Sequence, residues 1–448
     1  MPKISILVPV CNVESYLEQC LDSLINQTFQ DFEVICVDDG STDKSGQILD
    51  SYAAADSRIK VIHKVNTGYG NSMNVALDHA SGEYIAILES DDFAEPDMLQ
   101  ILYEAAVKQD VDVVKADYYH YSEGKNVFCN HLKNEVKGQI LQPIDNPRIL
   151  NLADSIWSCL YKHSFLSEYA IRFHETPGAS YQDISFAIQV WLHAQSVYFI
   201  ENPVLHYRRD NPGASMNNPS KLFCVFDEYE WIEEKYKDFW QDYPVLEHYF
   251  VASKYRDYFS HYYRVGVQYQ YALLCRLNES FCNDKVKGRV SEEAFLPRVW
   301  QWLQEMADDL NQFFRKSSKK TGDERLRKCR IENESVYADS FFVKLQGYPQ
   351  VMVYGAGQVG QRFAQTVIAK GGHVDGFIVT EMSDEDKECM GIPIYEVQEI
   401  SNLAESCAVV IAVTEWMQYE LYQNLKRYGF QNIFRVDTII RQNIMSKS

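Results

Sequence analysis

The sequence has few basic residues for its size. Its 448 residues include 43 Lys and Arg against 63 Asp and Glu, which gives a formal net charge of −20. Proteins hold nucleic acids mainly through positive patches that neutralise phosphates, so no nucleic-acid partner is expected. A local basic run at 315–320 and 325–330 is interpreted as a solvated loop and helix face, with contact to anionic lipid as the alternative.

The sequence also has no closely spaced cysteine pairs and no long apolar runs. Its eleven Cys form no Cys-x-x-Cys pair. Cys20, Cys36 and Cys407 lie in apolar patterns, which is typical of reduced, packed cysteines in a cytosolic protein. No apolar stretch approaches the ~20 residues of a membrane span, and because Met-Pro-Lys is followed directly by a predicted strand, no signal peptide is expected. We expect a cytoplasmic protein, soluble or peripheral at the inner face of the cell membrane, with its oligomeric state open.

Three regions follow one another along the chain. Residues 1–215 alternate apolar runs with amphipathic helical segments, and the predicted strands are Ile4–Val8, Val34–Val37, Lys60–His63 and Tyr84–Leu88. Strands that are apolar throughout and separated by helices predict an α/β fold, with a parallel sheet and a nucleotide site at the carboxyl ends of its strands. Residues 216–345 lack strand patterns and predict a helical connector. Residues 346–448 resume the βα alternation, as in a small Rossmann-like domain.

The first acidic cluster, DDGSTD at 38–43, follows the second predicted strand. Gly40 permits a turn, and the residues after it suit the start of a helix. Two carboxylates at the end of a buried strand are costly without partners. Asp38 and Asp39 therefore predict contacts to a base edge or a ribose hydroxyl.

The second acidic cluster is Glu89-Ser90-Asp91-Asp92, after the most apolar strand of the region. Three neighbouring carboxylates repel one another unless a cation lies between them. Oxygen-only ligands favour Mn²⁺ or Mg²⁺, which typically also bind substrate phosphates. The alternative is an acidic loop that caps a helix starting near Pro96.

Together these motifs resemble the opening of family 2 glycosyltransferases with the GT-A fold. The resemblance covers roughly the first 215 residues, through VDDGSTD at 37–43, NTGYGNSMN at 66–74 and ESDDF at 89–93. It implies that Pro9 and Asp38 help bind the nucleotide-sugar and that Asp39 recognises the uracil of a UDP-sugar. It also implies that Asp91 contacts the ribose and that Asp91 and Asp92 hold the metal, with the division between the two open.

The sequence departs from that family at two places. Glu89 stands where an Asp is usual, and Ser72-Met73-Asn74 stands where Ala-Arg-Asn is usual. Glu keeps the charge but reaches further. Without the Arg, a contact to the nucleotide-sugar is lost, so the resemblance does not imply which sugar is transferred.

The acceptor side of the resemblance lies in WSCLYK at 157–162 and GASYQD at 178–183. An inverting transfer needs a base that takes the proton of the acceptor hydroxyl. The family supplies it from a Glu-Asp pair, here Gln182-Asp183, which implies Asp183 as the base; the alternative is a helix N-cap. Trp157 and Tyr181 are candidates for stacking on a sugar, with core packing as the alternative.

The segment HYRR at 206–209 resembles the end of the family's domain. Arg208 is a candidate clamp for the diphosphate, because a planar guanidinium suits phosphate; a surface ion pair is the alternative. His206 is interpreted as a half-buried strand residue rather than a metal ligand.

A glycine loop, Gly355-Ala356-Gly357-Gln358-Val359-Gly360, lies between a predicted strand and a predicted helix. Its glycines, at 355, 357 and 360, predict a ligand loop or a structural turn in a Rossmann-like domain. The rival hypothesis is a nucleotide-sugar-modifying or NAD(P)-dependent enzyme that acts through this loop. Glu381 is only an approximate match to a ribose-binding acid, and Tyr422 and Lys426 are expected at the surface.

The resemblance implies an inverting hexosyl- or N-acetylhexosaminyltransferase. It would move a sugar from a UDP-sugar to a hydroxyl of a surface polysaccharide, a teichoic acid-like polymer or a glycoprotein glycan, including lipid-linked acceptors. A non-catalytic scaffold with a degenerate transferase domain is the third hypothesis, motivated by Glu89 and Gln182. Asp39, Asp91, Asp92 and Asp183 argue against it.

Overall fold

The computed structural model describes residues 1–129, 136–151, 155–211, 222–265, 267–317, 341–382, 387–413 and 415–436, together with Ile440 and Ile444. Its chain forms two compact units. The first takes in the described residues of Met1–Met216, Phe223–Arg256 and Arg289–Leu296. The second takes in those of Asn217–Leu222, Asp257–Gly288 and Pro297–Ser448. The predicted division at 215 and 345 stays a prediction, and most of the basic run at 315–330 lies outside the described residues.

A mixed sheet forms the centre of the first unit. Its strands are β1 (Ile4–Val10), β2 (Phe32–Asp39), β3 (Ile59–Lys64), β4 (Tyr84–Ile87), β5 (Phe93–Ala94), β6 (Val113–Ser122), β7 (Lys125–Cys129), β8 (Ile140–Leu141), β9 (Cys159–Lys162) and β10 (Val197–Arg208). In the described part of the chain the main order is β3-β2-β1-β4-β9-β6-β10-β5, while β7 pairs with β6 and β8 with β10.

The four predicted strands are confirmed, and they run parallel in the order β3-β2-β1-β4. All residues of β1, β2 and β4 are buried, as expected for a parallel sheet with both faces covered. The other half of the sheet corrects the purely parallel prediction, because β9 is antiparallel to both β4 and β6 and β5 is antiparallel to β10. Several of these strands have only two to five residues, too few for a periodic pattern.

Helices connect and cover these strands. The helices of the first unit up to β10 are α1 (Leu17–Ile25), α2 (Ser45–Ala55), α3 (Tyr69–His79), α4 (Met98–Gln109), α5 (His163–Glu168) and α6 (Gln182–His193). Helix α1 buries Leu17, Cys20, Leu21 and Leu24, which recur at helical spacing on one face. Short 3₁₀ turns at Pro147–Asn151 and Ile156–Ser158 precede β9.

The predicted helical segment is helical where it is described. Its helices are α7 (Cys224–Lys235), α8 (Phe239–Asp242), α9 (Pro244–Arg264), α10 (Val267–Val286), α11 (Pro297–Asp308) and α12 (Leu310–Ser317). Within the described residues, no helix is both long enough and apolar enough to cross a membrane.

A second sheet lies at the C-terminal end of the chain. Its elements are β11 (Val351–Tyr354), α13 (Gln358–Ala369), β12 (Gly376–Val379), β13 (Glu388–Cys389), β14 (Ile392–Glu396), β15 (Ala408–Ile411), α14 (Glu415–Arg427) and β16 (Asn432–Arg435). Among described residues the strand order is β13-β14-β12-β11-β15-β16, and the pairs are parallel except for β13 with β14.

The glycine loop joins β11 to α13, as predicted. Gly355 has a φ of +112°, and a Cβ there would lie 2.5 Å from Val413 Cγ1. A Cβ on Gly360 would lie 1.7 Å from the carbonyl oxygen of Gly355. The packing of the loop therefore requires both glycines. A Cβ on Gly357 meets nothing within 4 Å, so packing does not require that glycine.

Tyr422 corrects the expectation of a surface residue. Its hydroxyl donates to Glu279 of α10 at 3.0 Å, and the guanidinium of Arg435 lies 3.9 Å from its ring centroid. Burial raises the pKa of Tyr422, and the charge of Glu279 adds to this effect. Tyr422 therefore packs α14 against α10 in the second unit, which leaves its hydroxyl committed to a carboxylate.

Candidate active site

Both acidic clusters lie at one edge of the first sheet. Strands β1, β2 and β4 are parallel, so the residues that follow β2 and β4 meet at the same edge. Pro9 pairs with Val37 in the register of β1 and β2, one position before Asp38. Pro9, Asp38 and the loop that begins at Glu89 therefore share the edge at which α/β proteins bind ligands.

Asp38 is buried, and both of its carboxylate oxygens have hydrogen-bond partners within the protein. Its Oδ1 accepts the backbone N–H of Ser41 at 2.9 Å, and its Oδ2 lies 2.8 Å from His63 Nδ1. The other ring nitrogen of His63 lies 3.0 Å from Asp50 Oδ1. Burial alone would raise the pKa of Asp38, but the hydrogen bonds from Ser41 and His63 outweigh it and lower the pKa. Asp38 thus fixes the turn after β2 as an ionised carboxylate.

Asp39 is also buried, and three donors surround it. Its Oδ1 accepts the backbone N–H of Thr67 at 2.8 Å, and its Oδ2 accepts the N–H of Gly68 at 2.9 Å. The ammonium of Lys64 pairs with Oδ1. A carboxylate has about four acceptor positions, so a position on Oδ2 is left for a ligand. The predicted uracil contact of Asp39 fits this arrangement and stays a prediction.

Glu89 lies against Tyr69 and near two other acids. The hydroxyl of Tyr69 donates to Glu89 Oε1 at 2.6 Å. Burial raises the pKa of Glu89 to about 8, the Tyr69 hydrogen bond opposes the rise, and the charges of Asp91 and Asp183 add to it. Asp183, from α6, therefore lies within electrostatic range of the loop after β4.

Asp91 and Asp92 have different surroundings. Asp91 Oδ2 accepts a hydrogen bond from the Asn211 side chain at 2.8 Å. Asp92 is 1% exposed, and its Oδ1 accepts the backbone N–H of Arg208 at 2.7 Å. Its Oδ2 is buried and has no hydrogen-bond partner among the described residues. Burial raises the pKa of Asp92 well above its ordinary value, and the charge of Asp91 raises it further.

That unsatisfied oxygen fits a cation site. A buried carboxylate oxygen without a partner is costly, and a divalent cation would satisfy both the lone pair and the charge. In the part of the chain that the structure describes, no three His, Cys, Asp or Glu side chains converge as a complete ligand set. The residues therefore fit an ion held by one or two carboxylates, with its other ligands from water or phosphate, as is common for Mg²⁺.

Arg208 holds the loop that carries Asp91 and Asp92. Its Nε donates to the carbonyl oxygen of Asp91 at 2.7 Å, and its Nη2 donates to Gln19 Oε1 at 2.5 Å. The guanidinium carbon lies 4.8 Å from the ring centroid of Tyr16 and 4.9 Å from that of Tyr121. Its Nη1 also lies 3.6 Å from Asp210 Oδ1, and its side chain is 8% exposed, so the ion pair of the alternative is present but is largely buried. A diphosphate contact of Arg208 stays a prediction.

The start of α6 and the hydrogen bonds of Gln182 fix the segment around Asp183. Asp183 is the second residue of α6, and Tyr181 occupies the N-cap position with a φ of +63°, so the N-cap alternative for Asp183 is wrong. Gln182 is buried; its Oε1 accepts the N–H of Ser180, and its Nε2 donates to Thr176 Oγ1 at 2.7 Å. Gln182 is therefore a structural anchor of the preceding loop, and Asp183 is the half-buried carboxylate beside it.

Two aromatic candidates are packed inside the domain. The Trp157 ring stacks on Tyr207 with centroids 4.9 Å apart, and Tyr118 meets it edge-on at 4.3 Å. Trp157 is 7% exposed, so the structure places it in the core-packing arrangement. Tyr181 is half-buried. Sugar contacts by Trp157 and Tyr181 stay predictions.

His206 is engaged at both ring nitrogens. Its Nδ1 lies 2.8 Å from Asn126 Oδ1, and its Nε2 lies 2.8 Å from Glu95 Oε1. The ring stacks on Phe93 with centroids 4.2 Å apart. This arrangement agrees with the interpretation of His206 as a strand residue.

Several residues at this edge were not predicted from the sequence. They are Asn12, Gln19, Lys64, Tyr69 and Asn211. Asn12, with a φ of +53°, accepts the backbone N–H of Thr42 through its side-chain oxygen at 2.8 Å. Only the position of Lys64, at the end of a strand next to the strand of Asp39, could have indicated its partner in advance.

Comparison with known proteins points to one family. The sequence profile described as "Glycosyl transferase family 2" matches residues 5–166. Glycosyltransferase GlyG of Streptococcus pneumoniae is 31% identical over 245 residues, which cover 52% of this chain and 80% of GlyG. The uncharacterized glycosyltransferase EpsJ of Bacillus subtilis is 31% identical over 225 residues, 49% of this chain and 65% of EpsJ.

One solved structure shows the same fold. The crystal structure of S. aureus TarS 1–349 in complex with UDP superposes with a TM-score of 0.50 at 21% identity. The superposition covers 71% of this chain and 90% of that one.

Proposed function

Since this chain belongs to glycosyl transferase family 2, we propose that it transfers a sugar from a UDP-sugar to an acceptor hydroxyl with inversion at the anomeric carbon. The observation that carries the proposal is the grouping of acids at one edge of the first sheet. Asp38 and Asp39 are the last two residues of β2, Asp91 and Asp92 follow β4, and Asp183 lies close enough to raise the pKa of Glu89.

The choice of UDP rests on Asp39 and on the fold. The remaining acceptor position of Asp39 suits the imide N–H of uracil, and the neighbouring amides of Thr67 and Gly68 hold the carboxylate in place. The TarS structure of the same fold was solved with UDP bound.

The proposed reaction is a single displacement in which Asp183 is the base. Asp183 takes the proton of the acceptor hydroxyl as its oxygen bonds to the anomeric carbon, while the bond from that carbon to the diphosphate breaks and UDP leaves. Asp91 and Asp92 would hold Mn²⁺ or Mg²⁺. A bound ion would offset negative charge on the diphosphate.

Arg208 supports this reaction by positioning. Its side chain donates both to the carbonyl oxygen of Asp91 and to Gln19, and so connects the acidic loop to α1. Preorganised charges of this kind cost no rearrangement during the reaction. The acceptor that we propose is a growing surface glycan, a teichoic acid-like polymer or a glycoprotein glycan on the cytoplasmic side of the membrane.

The test separates binding of the donor from the chemical step. Asp183→Asn removes the base but leaves the uridine and metal residues, so UDP affinity should stay within about threefold while kcat falls about 100-fold or more. Asp31→Asn is the matched control, because Asp31 is exposed and lies at the other end of β2. Transfer at the unaltered rate by Asp183→Asn would remove the proposed base.

A second candidate function is ligand binding at the C-terminal glycine loop. The open space at Gly357 favours it, since a helix N-terminus with free access can receive a phosphate. Thermal melting of the whole chain with NAD⁺, NADP⁺ or UDP tests this function. A shift that is present in the unaltered chain and lost in Gly357→Val supports it, while no shift with any of the three contradicts it.

A further inference from the structure

Lys64 lies next to the residue that we assign to the nucleobase. It is opposite Asp39 in the register of the parallel strands β2 and β3. Its ammonium pairs with Asp39 Oδ1, and its side chain is 14% exposed. A cation thus lies beside the one acidic group that we place at the base edge.

The three hydrogen bonds that the Lys64 ammonium donates differ in length. Besides Asp39, the ammonium donates to Thr67 Oγ1 at 2.5 Å and to Ser72 Oγ at 3.3 Å. The Ser72 contact is the longest and therefore the weakest. The hydroxyl of Ser72 also donates to the carbonyl oxygen of Gly68 at 3.1 Å, so it keeps a partner if Lys64 turns away. One ammonium hydrogen is therefore available at small cost.

The position where the family usually has an Arg does not supply such a donor here. Met73 occupies that position and is fully buried. The cation beside Asp39 comes instead from the end of β3. An ammonium is a point donor that suits a single carbonyl oxygen, whereas a guanidinium is a planar fork.

We propose that Lys64 reads the nucleobase together with Asp39, an inference that rests on the proposed function. Asp39 Oδ2 accepts the imide N–H of uracil. The Lys64 ammonium gives up its hydrogen bond to Ser72 Oγ and donates instead to the carbonyl oxygen next to that N–H. The two side chains thereby recognise a base edge on which a hydrogen-bond donor lies next to a hydrogen-bond acceptor. They reject bases that present the opposite arrangement, such as cytosine.

The experiment changes one atom of the base on one side of the contact and the side chain of Lys64 on the other. UDP, 2-thio-UDP and 4-thio-UDP are titrated calorimetrically into the full-length protein with Mn²⁺ present, because sulfur accepts hydrogen bonds more weakly than oxygen. The proteins are the unaltered chain, Lys64→Met, Lys64→Gln and the control Lys108→Met. Lys108 is exposed in the last turn of α4. Lys64→Gln keeps a polar group beside Asp39 if Lys64→Met does not fold.

The unaltered chain and Lys108→Met should bind UDP several-fold more tightly than one of the two thio analogues. Lys64→Met or Lys64→Gln should bind UDP about tenfold more weakly, as expected for a lost hydrogen bond to a charged group. That variant should no longer distinguish UDP from the same analogue. The double comparison isolates the contact between Lys64 and the carbonyl oxygen.

Two results would overturn the proposal in different ways. If both Lys64 variants weaken UDP and the thio analogues by the same factor, Lys64 only neutralises Asp39, and the proposed function stands. If the unaltered chain binds no uridine nucleotide but binds another nucleoside diphosphate, the donor in the proposed function is wrong and the role of Lys64 falls with it.

Discussion

The backbone N–H of Arg208 donates to Asp92 Oδ1 at 2.7 Å and ties the end of β10 to the acidic loop after β4. Its guanidinium adds a second connection through the carbonyl oxygen of Asp91. Two segments more than 100 residues apart in the sequence thus meet at the proposed metal site. The side chain of Arg208 determines how firmly they are held.

Arg208→Ala should loosen the acidic loop and weaken the site. It removes two hydrogen bonds from a charged group, an ion pair with Asp210 and ring contacts to Tyr16, Phe93 and Tyr121. We therefore expect a loss of about 2 kcal/mol in stability and at least a tenfold loss in kcat/KM. Arg209→Gln is the control, since Arg209 is exposed. Urea unfolding and donor turnover measure the two effects. Equal turnover in both variants would contradict the role of Arg208.

Asp92→Asn should stabilise the metal-free protein or leave its stability unchanged. It removes a buried charge that Asp91 repels, while the backbone hydrogen bond from Arg208 remains available to the amide oxygen. It should also abolish the rise in melting temperature on addition of Mn²⁺. Asp97→Asn is the control, because Asp97 is exposed five residues further on. A Mn²⁺ effect that persists in Asp92→Asn would contradict the assigned ligand.

Gln182→Glu should destabilise the protein and should not raise activity. The donated hydrogen bonds to Thr176 and to the carbonyl oxygen of Gly178 would be lost, and a buried carboxylate would face that carbonyl. We expect a loss of about 2 kcal/mol in the free energy of unfolding. Gln47→Glu, at an exposed position of α2, should cost little. Higher turnover in Gln182→Glu would indicate that a Glu-Asp pair is the better catalyst.

The pKa of His63 should lie above its ordinary value of 6.5. The hydrogen bonds to Asp38 and then to Asp50 favour the charged imidazole. Because the folded pKa is raised, the stabilisation is fully present below pH 6.5 and is lost as pH rises through the folded pKa. An NMR titration of the His63 ring should show this raised pKa, and Asp38→Asn should lower it. An unchanged pKa in Asp38→Asn would contradict the pairing.

The sequence was sufficient to place the two acidic clusters together. Asp38 and Asp39 end one buried strand and Glu89 follows another, and the carboxyl ends of parallel strands share an edge. The glycine loop was also placed correctly, since a strand and a helix flank Gly355 and Gly360.

The half of the first sheet that β5 to β10 form could not be predicted in the same way. Its pairing depends on strand order, which places β10 between β6 and β5 and so brings Arg208 to Asp92. The stacking of Trp157 on Tyr207 and the pairing of Lys64 with Asp39 depend on register and side-chain direction. Local periodicity carries no information on contacts between such distant residues.

The most direct test of the proposed function is a panel of sugar nucleotides offered to the purified full-length protein. UDP-sugars, GDP-sugars, ADP-glucose and CMP-sugars are each incubated with Mn²⁺ or with EDTA, and release of the nucleotide is measured. We expect release of UDP from at least one UDP-sugar, dependent on Mn²⁺ and reduced about 100-fold in Asp183→Asn. Release from another nucleotide class, with none from any UDP-sugar, would contradict it.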